Sequence, residues 1–194
     1  MRLGIDLDEV LSDTLASFIQ FHNLRYGTDY RESDFVSYKF EDIMKLPSED
    51  VVVRILQFYS ECNAEISPVA GAKGILEKLA RDHELYVITA RPDAIKTLTR
   101  IWLEDHYPGL FKEVIFAHNI YVGCARRKKL DFCQEHDIKM MIDDTLENIA
   151  DCQLAGIQGV LYDRPWNRGN SLDSVIRVSG WEHIAQIVED KNPV

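Results

Sequence analysis

Five short apolar runs rich in β-branched residues, at 2–6, 85–89, 113–117, 139–142 and 158–162, recur along the chain with helix-length amphipathic stretches between them. Alternation of this kind constrains the fold more than any other feature. A strand, a crossover helix and a second strand in the same sheet make a parallel pair, and the helices cover its faces. The pattern predicts an α/β protein built on a doubly wound parallel sheet. Helices are expected at 72–81, 93–105, 128–135 and 146–155, with a closing helix at 181–189. The rhythm breaks once, because about eighty residues separate Ile5 from Leu85, far more than one crossover requires. Residues 14–67 read as helix (14–25), an aromatic-rich irregular segment (29–43) and helix again (48–60). Phe18, Phe21, Phe35, Tyr38, Phe40, Phe58 and Tyr59 in this stretch need burial, so it is expected to be a small helical cap. Residues 1–13 and 68–194 would then form the core.

Two acidic pairs sit where such a sheet binds ligands, at the carboxyl ends of strands. Asp6-Leu7-Asp8 closes the first apolar run, and Asp143-Asp144 follows Met140-Met141-Ile142. One Asp at a strand end is commonly a turn former or helix cap. Four carboxylates on one sheet edge repel one another unless a cation lies among them, and a hard divalent ion with oxygen ligands, most simply Mg²⁺, resolves the conflict. Thr89 ends another strand at the same edge and could either cap the next helix or donate to phosphate oxygens. The run Arg126-Arg127-Lys128-Lys129 opens a helix, an unfavourable place for positive charge unless an anion is being neutralised.

Composition narrows the partners. Thirty-two acidic against 22 basic residues leave a formal charge of −10. That balance disfavours a nucleic-acid polymer or an anionic membrane as partner, and an anionic substrate would need local help such as a metal. The start of the chain shows no basic region followed by a long apolar stretch, and no apolar run reaches the roughly 20 residues of a membrane span. The four cysteines (62, 124, 133 and 152) form no CxxC pair. The expectation is a soluble cytoplasmic protein with reduced thiols. Sequence sets no oligomeric state, and a homodimer stays open.

Asp6-Leu7-Asp8-Glu9-Val10, Thr89, Lys129 and Asp143-Asp144 resemble, in order, the four motifs of the haloacid-dehalogenase superfamily of phosphohydrolases, a match that spans nearly the whole chain. Asp6-x-Asp8-x-Val10-Leu11-x-Asp13, the helical insert and the run 163–168 are similar to its 5′(3′)-deoxyribonucleotidase-like branch. The resemblance implies a Rossmann-like sheet with the cap inserted after the first strand. It implies an Mg²⁺-dependent phosphomonoesterase with Asp6 as nucleophile and Asp8 as acid/base. Mg²⁺ would be held by Asp6, the Asp8 carbonyl and Asp143, with Asp144 acting through water or orienting the lysine. Thr89 would donate to a phosphoryl oxygen and Lys129 would neutralise charge, with Lys128 as rival because adjacent lysines point about 100° apart on a helix. Glu9 departs from the pattern, standing where many relatives carry Gly in a turn that tolerates φ > 0. The substrate implied is a small phosphorylated metabolite, a nucleoside monophosphate first, with a sugar phosphate or phosphoglycolate as alternative.

Selectivity is expected in the cap, which closes over the leaving group. Phe35, Tyr38, Lys39 and Phe40 could offer aromatic faces and a cation to a nucleotide, or could simply pack the lobe. Arg91 and the 163–168 loop stand at carboxyl ends of strands and are expected at the entrance; Arg164 or Arg168 could instead pair with Asp163. The six histidines (22, 83, 106, 118, 136 and 183) show no metal-binding spacing and read as surface or helix-end residues.

Overall fold

A computed structural model describes residues 1–117, 127–168 and 175–191. In chain order the strands and α-helices are β1 (Arg2–Ile5), α1 (Thr14–Tyr26), α2 (Phe40–Met44), α3 (Ser48–Cys62), α4 (Ala72–Leu79), β2 (Glu84–Thr89), α5 (Lys96–His106) and β3 (Glu113–Phe116). They continue as α6 (Lys129–Glu135), β4 (Met140–Asp143), α7 (Leu146–Leu154), β5 (Gln158–Tyr162), β6 (Ile176–Val178) and α8 (Trp181–Lys191). All five strand pairings are parallel, in the order β3-β2-β1-β4-β5-β6. This is the Rossmann order, which reverses direction between β1 and β4. The acidic pairs terminate those two strands, so topology alone brings them to the crevice at the reversal.

Alternation along the strands divides the core into two layers. Leu3, Ile5, Leu85, Val87, Met140 and Ile142 face the larger cluster, with Trp102, Leu76, Trp181 and Ile184 from α4, α5 and α8 packed there. Tyr86, Ile88, Met141 and Leu161 face the smaller one, with Cys133 and Cys152 of α6 and α7. Period-two alternation with apolar residues at both phases is what a strand covered on both faces requires. The α7–β5 contact is closest at Gly159, where an added Cβ would lie 2.5 Å from Ile149 Cγ2 and 3.1 Å from the Ile149 carbonyl oxygen. Gly159→Ala is therefore expected to destabilise by about 1–3 kcal/mol through overpacking. For a chain of this size that is roughly 2–4 °C per kcal/mol in melting temperature, and an unchanged melting curve would refute the packing argument.

The chain leaves the sheet at Asp13 and returns beside its point of departure: Asp13 N–H donates to the Ser67 carbonyl at 2.8 Å, and Ser12 bridges Pro68. Between these points α1 and α3 pack around Phe18, Phe21 and Phe58, whose rings lie 5.6 to 5.7 Å apart across the two helices. His22 corrects the reading of every histidine as a surface or helix-end residue. It is fully buried in this lobe, bonded to Thr28 at 2.8 Å and to Arg54 at 2.7 Å. Burial and Arg54 push its imidazole down to about 4, so it is neutral at ordinary pH. The sixth strand was not anticipated, because its three residues place Arg177 at the centre, where the guanidinium pairs with Asp163 at 2.9 Å. No helix among the described residues is long and apolar enough to cross a membrane. Cys62, Cys133 and Cys152 are free thiols, while Cys124, His118 and Arg126 lie outside the described residues.

Candidate active site

β1 ends at Ile5, yet Asp6 N–H still donates to the Ile142 carbonyl at 2.9 Å. The Ile5–Ile142 register, carried one residue further, sets Asp6 beside Asp143. The loop that follows is pinned from several sides. Trp181 Nε1 donates to the Val10 carbonyl at 3.0 Å and the Tyr107 hydroxyl to the Leu11 carbonyl at 2.8 Å. Glu9 adopts φ +65°, so the left-handed turn that a glycine would take freely is kept here by a glutamate. Side-chain bonding compensates for the strain. Glu9 Oε1 accepts from Leu15 N–H at 2.6 Å, in the first turn of α1, and Arg164 donates to the Glu9 carbonyl at 2.6 and 2.9 Å. The Glu9 side chain thus does the work of an N-cap for the first cap helix, at whose own N-cap Asp13 makes no side-chain bond.

Carboxylate oxygens of Asp6, Asp143 and Asp144 all lie within 4.8 Å of one another, and all three residues are buried. Lys129 Nζ lies 2.6 Å from Asp6 Oδ1 and 2.8 Å from Asp143 Oδ2. Lys128 instead is exposed and pairs with Asp151 at 2.8 Å, so the geometry puts Lys129 and not its neighbour at the acids. α6 begins at Lys129, one residue later than expected, with Lys128 N–H donating to Asp131 Oδ2. Burial drives the Asp6 carboxyl well above its ordinary range, opposed by Lys129 and reinforced by Asp143 and Asp144. Burial and Asp143 together push Asp144 up to about 7. Asp143 and Asp6 outweigh desolvation at Lys129 and hold its ammonium above the usual range. With all three ionised, the carboxylates outnumber the one ammonium by two charges, which an oxygen-seeking divalent cation balances. The donor set fits such a cation.

Asp8 is turned away from that triad. Its Oδ1 accepts from Thr14 at 2.6 Å, Arg91 at 2.7 Å, Tyr59 at 3.2 Å and Ser12 at 3.3 Å. Burial would raise this carboxyl, but Arg91 and the hydroxyls prevail and hold it below the usual carboxylate range. Thr89 is fully buried, and its hydroxyl accepts from Arg91 N–H at 3.1 Å.

A cavity of about 290 Å³ opens above these groups, with Asp6, Asp8, Glu9, Lys129 and Asp144 on its floor. Phe18, Tyr38, Phe40, Phe58, Tyr59 and Trp166 contribute to its walls. Of the four cap residues expected to meet substrate, Tyr38 and Phe40 line it. Phe35 does not, being wholly buried within the lobe with its ring 4.9 Å from Phe40 and 5.9 Å from Tyr30. Lys39 is exposed and outside the lining, as befits the residue before α2, whose side chain points to water. Arg91 is not at the entrance either, because a guanidinium 2% exposed is committed to Asp8 beneath it. Arg168 pairs with Asp163 at 2.8 Å, whereas Arg164 holds the Glu9 turn.

Several site groups carried no signal of their own. Trp166 Nε1 donates to Asp144 Oδ2 at 2.8 Å and Asn167 to the Asp144 carbonyl at 2.7 Å, both from the 163–168 loop. The Tyr38 hydroxyl reaches from the cap to the Asp144 carbonyl at 2.7 Å and to its carboxylate at 3.1 Å. Asn148 donates to Asp143 Oδ2 at 3.0 Å. Asn148 lies five residues beyond Asp143, in the first turn of α7, a spacing that could have pointed to it.

Similarity to known proteins agrees with this geometry. The chain is similar to the 5′(3′)-deoxyribonucleotidase of Bacillus subtilis, 27% identical over 94% of this chain and 95% of that one. It is also similar to a nucleotidase of Clostridium acetobutylicum, 24% identical over 97% and 94% of the two chains. Among solved structures, a haloacid dehalogenase-like hydrolase of Streptococcus pneumoniae superposes with a TM-score of 0.68 at 16% identity, covering 96% of this chain and 97% of its own. A haloacid-dehalogenase-type hydrolase of Bacillus subtilis bound to magnesium gives 0.66 at 14% identity, covering 97% and 98%. The fold is that of the haloacid-dehalogenase hydrolases, and the chain is a phosphomonoesterase. Residues 1–192 match the family of 5′ nucleotidase, deoxy (pyrimidine), cytosolic type C proteins, and the chain belongs to that family.

Proposed function

We propose that the chain is an Mg²⁺-dependent phosphatase of nucleoside monophosphates, deoxyribonucleotides first among them, which works through an aspartyl-phosphate on Asp6. One observation carries this reading: the Asp6 carboxylate, in contact with Lys129 and clustered with Asp143 and Asp144, forms the floor of an aromatic-walled cavity. Asp6 attacks phosphorus, a new Asp6 O–P bond forms, and the ester P–O bond breaks with its electrons on the leaving oxygen. Asp8 gives that oxygen a proton, then takes one from the water that splits the aspartyl-phosphate and releases phosphate. Lys129 neutralises charge shared between Asp6 and the phosphoryl group, and Thr89 donates to a phosphoryl oxygen. Asp6, Asp143, Asp144 and the Asp8 carbonyl are the residues to hold Mg²⁺, which when bound supplies further neutralisation of the phosphoryl charge. Residues 14–67 act as the cap and residues 1–13 with 68–194 as the core; the Asp13–Ser67 closure supports that division.

Phosphate release from nucleoside monophosphates, sugar phosphates and phosphoglycolate, each with Mg²⁺ or with EDTA, tests the reading. The expected result is metal-dependent release that discriminates among bases, because flat aromatic walls distinguish a nucleobase from open solvent. Equal rates on all bases with preference for a sugar phosphate would assign a general phosphatase instead.

A further inference from the structure

Arg91 is the largest charged side chain sealed into the interior among the described residues, and the roles proposed for Asp6, Thr89 and Lys129 leave it without one. A guanidinium removed from water costs several kcal/mol unless its charge and donors are met. Here they are met chiefly by one group. Nε lies 3.1 Å from both carboxylate oxygens of Asp8, and Nη2 lies 2.7 Å from Oδ1. Nη2 also reaches the Ser12 and Thr14 hydroxyls at 3.3 and 3.4 Å, and Nη1 the Thr99 hydroxyl of α5 at 3.5 Å. From the cap side the Tyr59 ring covers the guanidinium at 4.6 Å. The clamp is asymmetric. Oδ1 is surrounded by three hydroxyls and the guanidinium, whereas among the described residues Oδ2 accepts only from Arg91 Nε. One oxygen is anchored and the other is left for the cavity that Asp8 helps to line.

We propose that Arg91 is a positioning residue for the acid step, fixing Asp8 by Oδ1 so that Oδ2 is the oxygen that hands its proton to the leaving group. This rests on the reading of Asp8 as acid/base. As the ester bond breaks, the Oδ2–H bond breaks with it, the proton moves to the departing oxygen and the electron pair stays on Asp8. Arg91 favours the ionised carboxyl before substrate binds, so the proton is loaded onto Oδ2 when the anionic phosphate stands beside Asp8, and the part of Arg91 is to fix which oxygen carries it. Fork geometry matters as well as charge, since a guanidinium can engage both oxygens while a lysine offers a point charge.

A leaving-group comparison separates this from a merely structural ion pair. Proton donation matters for an alkyl ester, which otherwise expels an alkoxide, and little for p-nitrophenyl phosphate, whose phenolate leaves unaided. kcat/KM is read for the best nucleotide of the panel above and for p-nitrophenyl phosphate, in wild type, Asp8→Asn, Arg91→Met and Arg91→Lys. The expected result is a fall in the alkyl-to-aryl ratio of about 10²-fold or more in Asp8→Asn and Arg91→Met, with Arg91→Lys between them and wild type. If Asp8→Asn shows the selective loss while both Arg91 variants lower the two esters by the same factor, Arg91 is structural and the proposal fails alone. If Asp8→Asn shows no selectivity, the acid/base reading fails and takes this proposal with it. Should Arg91→Met not fold by circular dichroism, the ratio in Arg91→Lys decides.

Discussion

Asp6→Asn is expected to remove turnover, by about 10⁴-fold or more, in a protein that remains folded. The amide is close to isosteric with the carboxylate but cannot attack phosphorus to give an acyl phosphate. Loss of a nucleophile removes a whole covalent route instead of weakening one contact. Folding should survive because the native state gains nothing from this charge in the absence of metal: burial, Asp143 and Asp144 disfavour ionised Asp6 and outweigh Lys129 and the Leu7 N–H, which donates to Asp6 Oδ1 at 2.7 Å. Without metal the variant is expected to melt no lower than wild type, and in saturating Mg²⁺ it should lose most of the stabilisation that the ion gives wild type, since a charged ligand is gone. Phosphate release and melting temperature, each in EDTA and in Mg²⁺, check both halves. Activity within tenfold of wild type would exclude Asp6 as nucleophile; lost activity together with a collapsed melting temperature in EDTA would show that Asp6 acts structurally.

The sheet was legible because its signal is local. Five strands carry their own apolar runs, and the acids that close β1 and β4 lie next to each other in any sheet that reverses between those strands. Contacts between distant segments were not legible. Tyr38 and Asp144 are 106 positions apart, and Arg91 and Asp8 83, so neither pair leaves a spacing in the sequence. Arg91 was expected at the entrance because a strand-end arginine next to acids suits substrate as well as it suits a carboxylate below it. Only the depth of Asp8 within the loop separates the two. Phe35 and Phe40 lie in the same irregular segment with similar chemistry, and which ring faces the cavity depends on α2 starting at Phe40, a five-residue helix with little propensity signal. Lys128 and Lys129 differ by one position. The helix start decides between them, and start positions are the least determined feature of any helix. Glu9 offered a legible anomaly without its resolution, since its partner Leu15 N–H is free only because α1 begins where it does.

Without metal, stability is expected to fall as pH rises from about 5 to about 9, and Mg²⁺ should blunt the fall. Burial pushes the Glu9 carboxyl from 4.5 up to about 8, against the opposing pull of Arg164. Burial and Asp143 push Asp144 from 3.8 to about 7. Between its unfolded and folded values each group is ionised in the unfolded chain but protonated in the native state. Folding there takes up a proton, and every further pH unit costs about 1.4 kcal/mol per group. The loss begins above the unfolded values and is complete above the folded ones. Asp8 has the opposite sign: its folded value is lowered by Arg91 despite burial, so its contribution is present above its unfolded value and lost on acidification. Metal-free protein should therefore be most stable on the acid side of neutrality. Glu9 and Asp144 answer to different remedies. Glu9 lies outside the triad, and Glu9→Gln can still accept from Leu15 N–H without carrying charge, so it should remove the Glu9 share of the slope. Asp144 is within the triad, where a cation takes the place of the proton and binds more tightly as the ligands ionise. Melting temperature between about pH 5.5 and 8.5 is expected to drop by roughly 10 °C or more in EDTA for wild type. The drop should be smaller for Glu9→Gln in EDTA and smallest for Glu9→Gln in saturating Mg²⁺. A flat wild-type profile in EDTA would mean that these carboxyls are as well solvated in the native state as in the unfolded chain; a steep profile that Mg²⁺ leaves untouched would mean that the triad is not where the metal binds.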